Sequence, residues 1–163
     1  MESILSYHYL ESFIQIFVAM TLGSVLGLER NFVGKVAGMR TYGLVSMGAC
    51  LFVISSVFVG LSNFPGASFD PMHIMAGIIT GIGFLGAGLI IFKDSKLTGL
   101  TTAAGLWVAA GIGIAVGYKL YAIATFATLL TLFNFTLLWR IERKLKNIAD
   151  KESVSEDHSN IDG

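Results

Sequence analysis

Polar residues in this chain gather in short clusters, and continuous apolar stretches run between them. The first stretch is Phe13 to Leu28, closed by Glu29-Arg30. The second is Tyr42 to Leu61, followed by the turn-like Ser62-Asn63-Phe64-Pro65-Gly66, and the third is Met72 to Phe92, stopped by Lys93-Asp94. The last runs from Leu100 to Trp139, with Gly117-Tyr118-Lys119 as its interruption. A bilayer core is about 30 Å thick and takes about 20 helical residues to cross. A single helix from Leu100 to Trp139 would reach about 60 Å, so this stretch divides into two helices at a tight hairpin near Lys119. The pattern predicts an all-α integral membrane bundle of five transmembrane helices, over about 13–28, 42–61, 72–92, 100–117 and 120–139. The runs are continuous rather than alternating, which argues against a β-barrel.

Composition supports this reading. Hydrophobic residues make up 54% of the 163, charged residues 13%, and mean hydropathy is +0.72. A soluble domain carries roughly 25% charged residues, so this chain lacks the charge to solvate a globular surface. Its 19 glycines suit membrane helices, and two prolines argue against a loop-rich chain.

Net charge is zero, but its distribution sets an orientation. With five spans, Arg30, Lys35, Arg40, Lys93, Lys96, Arg140, Arg143, Lys144, Lys146 and Lys151 share one side, leaving Lys119 alone on the other. The positive-inside rule then places the N-terminus outside and the C-terminus in the cytoplasm. Tyr7, Tyr9, Tyr118 and Tyr121 fall near the outer boundary and Trp139 near the inner one, as interfacial aromatics do. The transmembrane domain is thus residues 1–139. Residues 140–163 read as a basic juxtamembrane stub and a polar, acidic, disordered cytosolic tail. The first apolar run is too long for a secretory signal peptide and lacks a basic region before it. Cys50, inside span two, reads as a small packing residue.

The usual chemical motifs fail on context. Gly81-Ile-Gly83-Phe-Leu-Gly86 has the GxGxxG spacing, but it sits inside an apolar helix rather than after a strand. Gly34-Lys35 lacks the rest of a P-loop, because Val36 follows it and position 29 is Glu. His8, His73 and His158 are scattered, and no carboxylate pair is spaced for a metal. Neither an enzyme nor a nucleic-acid binder is expected. No cofactor is indicated, with magnesium left open as a ligand.

The glycines suggest packing instead, because membrane helices associate through small residues that let backbones approach. Gly77, Gly81, Gly83, Gly86, Ala87 and Gly88 would leave span three almost bare, which predicts that it sits at the centre of the bundle. Gly23 with Gly27, and Gly113 with Gly117, form GxxxG pairs that read as contact faces. The candidate functional charges lie at membrane edges: Glu29 and Arg30 end span one, Arg40 and Thr41 begin span two, and Asp70 begins span three. The short loop between the first two spans would let Glu29 meet Arg40. Trp107 lies about 10 Å along span four from Leu100, where its indole N–H needs an acceptor.

These residues together resemble the MgtC/SapB family of bacterial membrane proteins. The resemblance rests on Gly27-Leu-Glu29-Arg30, on Gly34-Lys-Val-Ala-Gly38-Met-Arg40-Thr41, on Gly81 to Gly88, and on Gly99-Leu-Thr-Thr-Ala-Ala104 with Trp107. It covers roughly residues 20 to 120, with four motifs in order. It implies a bacterial plasma-membrane protein linked to magnesium homeostasis and growth at low magnesium and, in some pathogens, to survival inside host cells. It also implies an F-type ATP synthase as a candidate partner. Carried over by motif, the functional candidates are Glu29, Arg30, Arg40, Thr41, Asp70, Gly81, Gly83, Gly86, Gly88, Thr101, Thr102 and Trp107. Two departures stand out. His73 follows Asp70 at three residues where the family often has Arg, and the chain stops short of the soluble C-terminal domain of longer members.

Three functions follow as expectations: a regulator acting through helix contacts in the membrane, a magnesium or other cation carrier, and a scaffold. A carrier should place carboxylates near the midplane, and no acidic residue lies at that depth. Contact with the lipid bilayer is required in every case, and a homo-oligomer stays open.

Overall fold

A computed structural model describes residues 2–62, 70–93 and 96–137. The chain divides into two units, Met1–Thr131 and Leu132–Gly163. Within the first unit lie α1 (Glu2–Phe32), α2 (Met39–Ser62), α3 (Pro71–Leu89), a hairpin of β1 (Ile91–Lys93) and β2 (Lys96–Thr98), and α4 (Leu100–Gly117). A fifth apolar helix, α5, spans Tyr121–Leu137. Its last six residues are the only described part of the second unit. The turn at 63–66, Trp139 and the basic stub and tail fall outside the described residues.

Among the described residues four helices are long and apolar enough to cross a membrane, at Tyr9–Phe32, Met39–Val59, Pro71–Leu89 and Leu100–Gly117, and α5 is a shorter apolar helix. The expected five-helix architecture therefore holds. Its bounds differ from those of the apolar runs chiefly in α1, which begins well before Phe13, and in α3, which stops at Leu89. The chain past Leu89 turns into the small antiparallel hairpin, with Ile91 opposite Thr98 and Lys93 opposite Lys96. Gly99 closes this connection at φ 88°, where a Cβ would lie 1.9 Å from Leu89 O.

Local chemistry sets the ends. Asp70 caps α3 by accepting a hydrogen bond from Met72 N at 2.9 Å, and Pro71 occupies the first turn. α1 ends at Gly34, at φ 68°, with Lys35 N donating to Arg30 O and Gly34 N to Asn31 O. This is a Schellman stop. The same bonding ends α4, where Leu120 N donates to Ala115 O and Lys119 N to Val116 O. Here the left-handed residue is Lys119, at φ 62°, so the hairpin predicted near Lys119 is present.

The central helix is α4, not α3. Eleven of the 18 residues of α4 are buried, against two of the 19 in α3. Small residues lie on several sides of α4, and its buried set runs from Thr102 and Ala103 through Ala109, Ala110 and Gly113 to Gly117. In α3 only Ile78 and Gly86 are buried. Gly86 meets Ala103, whereas a Cβ at Gly77, Gly81, Gly83 or Gly88 would meet nothing within 4 Å. The expectation that the glycine-rich helix sits at the centre is thus overturned. Missing side chains permit close approach but supply no attraction, and bare α3 packs along one narrow stripe. That stripe places Ile78 with Ala49, Val53, Ala110 and Ile114, flanked by Ile74, Met75 and Ile82.

Candidate functional site at the α1–α2 corner

The other glycine pairs do bring helices together. A Cβ at Gly23 would lie 2.5 Å from Tyr42 O, and one at Gly27 would lie 2.6 Å from the Gly38 backbone. One at Gly43 would sit 2.4 Å from Ser24 Oγ, while the Asn31 side chain occupies the space that a Cβ at Gly38 would need. α1 and α2 are therefore in backbone contact along this crossing. α4 joins them on the far side, since a Cβ at Gly113 would lie 2.0 Å from Ser46 O and one at Gly117 would strike Val53. Both GxxxG pairs are contact faces, as their spacing predicts.

This close approach encloses a polar centre. Arg30 is 2% exposed, and its Nε donates to Glu29 Oε2 at 2.5 Å. Tyr42 is fully buried and its hydroxyl donates to Thr102 O at 3.1 Å, tying the start of α2 to the start of α4. One turn further along α2, Ser46 Oγ is buried without a hydrogen-bond partner among the described residues. Arg30, Tyr42 and Thr102 are buried and Glu29 is half-buried near the meeting of α1, α2 and α4, where a lone charge would be costly and a pair is tolerated.

Other candidates lie elsewhere. Arg40 does not meet Glu29, because Arg30, the neighbouring residue, takes that carboxylate. Arg40 and Thr41 are exposed at the mouth of a groove between α2 and α3. Thr101 is exposed, whereas Thr102 is buried. Trp107 is 54% exposed on α4, and among the described residues no hydrogen bond to its indole occurs, so it faces the surroundings rather than an internal acceptor. Gly81, Gly83 and Gly88 face open space, and Gly86 alone packs.

Asp70 belongs to a second polar group at the opposite end of the helices. Tyr118 Oη reaches Pro71 O at 3.5 Å, and burial followed by the charge of Asp70 raises the Tyr118 pKa. Lys119 Nζ pairs with Glu11 Oε2 at 2.6 Å. Buried Gln15 donates from Nε2 to Val116 O at 3.0 Å and Gly117 O at 2.9 Å. Sequence reading passed over Gln15, Tyr42 and Ser46. For Gln15 a signal existed: a lone amide inside an apolar run must find a partner there.

Residues 16–144 match the model of the MgtC family. The chain belongs to the MgtC family. Among curated members, it is 35% identical over 139 residues to the "Putative magnesium transporter YhiD" of Escherichia coli K12, covering 84% of this chain and 65% of that protein. It is 41% identical over 140 residues to Protein SrpB of Synechococcus elongatus, covering 78% and 76%. It is 36% identical over 147 residues to Protein MgtC of Salmonella typhimurium, covering 90% and 59%. The chain thus spans somewhat under two thirds of YhiD and of MgtC. No solved structure shows a significant match. Family membership together with the apolar helices makes this a multi-pass protein of the bacterial inner membrane.

Proposed function

We propose that this MgtC-family protein serves magnesium homeostasis as a regulator, acting by helix contact on another membrane protein, with the F-type ATP synthase as the candidate partner. The N-terminus lies outside and the basic residues face the cytoplasm, following the charge asymmetry of the connections. The observation that carries the reading is the uncovered outer face of α3. Ala76, Thr80, Gly83 and Ala87 are all exposed, and their spacing of three to four residues puts them on one side. Small residues at this spacing let a partner helix approach closely, and that approach, rather than hydrophobicity, drives association in lipid. Thr80 Oγ1 is bound to Ala76 O, so the face presents no unsatisfied donor.

A second reading, transport of magnesium or another cation, is favoured by the printed name of YhiD. Mg²⁺ needs oxygen ligands in near-octahedral order, with one or two carboxylates as a rule. Among the described residues no three His, Cys, Asp or Glu side chains converge, and Glu29 is engaged by Arg30. This weighs toward the regulator.

Purified protein in liposomes carrying a Mg²⁺ indicator separates the two. The regulator predicts no flux above empty liposomes, with ATP synthase subunits co-purifying from membranes and lost in Gly83→Ile. Flux abolished by Glu29→Gln or Asp70→Asn would overturn it in favour of the carrier.

A further inference from the structure

α2 and α3 do not close on each other along their length. Between them runs an apolar groove of about 910 Å³, bordered from Arg40 to Phe52 on α2 and from His73 to Leu85 on α3. Each border covers twelve residue steps, or about 18 Å of helix, close to the roughly 15 Å of one leaflet's hydrocarbon. The floor is low because Gly48, Gly77 and Gly81 contribute no side chains and have open space above them. This surface differs from the outer face of α3 invoked above, since Gly77 and Gly81 lie on the α2 side of the helix.

We infer that this groove is a binding site for one anionic phospholipid, its acyl chains in the groove and its phosphate on Arg40 and Thr41. Charge complementarity selects this occupant. Arg40 stands exposed at one end of a channel whose other polar lining is Thr41 and His73, in the second position of its helix, and pairs with no carboxylate among the described residues. An arginine fork fits phosphate oxygens at two points, and the Thr41 hydroxyl beside it offers a further donor. Basic pockets between membrane helices recognise anionic headgroups in this way.

Native mass spectrometry of the full chain, released from vesicles of equal phosphatidylglycerol and phosphatidylcholine, tests the site. The wild type should retain one phosphatidylglycerol in preference to phosphatidylcholine. Arg40→Gln should lower that retention about tenfold, as loss of a charge-assisted contact does. Gly81→Leu, which fills the groove where nothing blocks a side chain, should abolish retention of both lipids. Gly77→Leu repeats this test if Gly81→Leu fails to fold, and Lys96→Gln on the exposed hairpin should change nothing. Equal retention of the two lipids, an unaffected Arg40→Gln, or lipid retained in both groove-filling variants would overturn the inference. So would a second copy of the chain, rather than lipid, displaced by Gly81→Leu.

Discussion

The Gln15 side chain of α1 closes the C-terminus of α4, donating to Gly117 O at 2.9 Å and to Val116 O at 3.0 Å. The last carbonyls of a helix have no partner within it, and in hydrocarbon there is no water to supply one. One amide therefore satisfies two acceptors at the point where α4 must stop and turn. Gln15→Leu should destabilise the protein by about 1–3 kcal/mol, because the buried Gly117 carbonyl loses the Gln15 donor while Val116 O keeps Lys119 N. Unfolding of the purified protein in mixed micelles would measure this, and an unchanged midpoint would remove the capping role.

The two classes of glycine should answer differently to alanine. At Gly113 a Cβ would lie 2.0 Å from the Ser46 carbonyl, so Gly113→Ala must force α4 from α2. The expected loss is about 2–3 kcal/mol. At Gly81 and Gly83 the space is open, and alanine should be neutral or stabilise by up to about 1 kcal/mol through helix propensity. Parallel thermal melts of the three variants check the contrast.

The Glu29–Arg30 pair makes a sharper demand. Arg30 is buried against Glu29, so Glu29→Gln or Arg30→Met alone should cost about 2–4 kcal/mol. The double variant should recover much of the loss, since an apolar replacement of a buried pair is often close to neutral. Folded yield and melting temperature of the singles and the double test this. A double variant as unstable as the sum of the singles would show that the pair is not the coupled unit.

Tyr118 offers a pH signature. Burial, and after it the negative charge of Asp70, holds its pKa above the ordinary tyrosine value. The neutral phenol is thus favoured in the folded protein. Its contribution to stability is present below the unfolded pKa of 10.0 and is lost as pH rises through the folded value. Asp70→Asn should move the Tyr118 transition to lower pH, while burial keeps it above the ordinary value. An ultraviolet tyrosinate titration, with Tyr118→Phe subtracted, reads it directly, and no movement on Asp70→Asn would separate the two residues.

The apolar run lengths alone determined that this chain is a helical membrane bundle, and they placed the break at Lys119, because bilayer thickness translates directly into residue count. The motifs carried the family, and the GxxxG spacing of Gly23 with Gly27 and of Gly113 with Gly117 foretold real contact faces. Which helix would be central was not legible. A glycine shows that a neighbour can come close, but whether one does depends on the side chains of every other helix. Tertiary structure gave the centre to α4 and left α3 open. It also paired Glu29 with Arg30 rather than Arg40, buried Tyr42 against Thr102, and sent Gln15 to a carbonyl 102 positions away. These are long-range or orientational choices among partners of similar chemistry. Local pattern names the groups that need a partner, and only the packed backbone decides which partner is within reach.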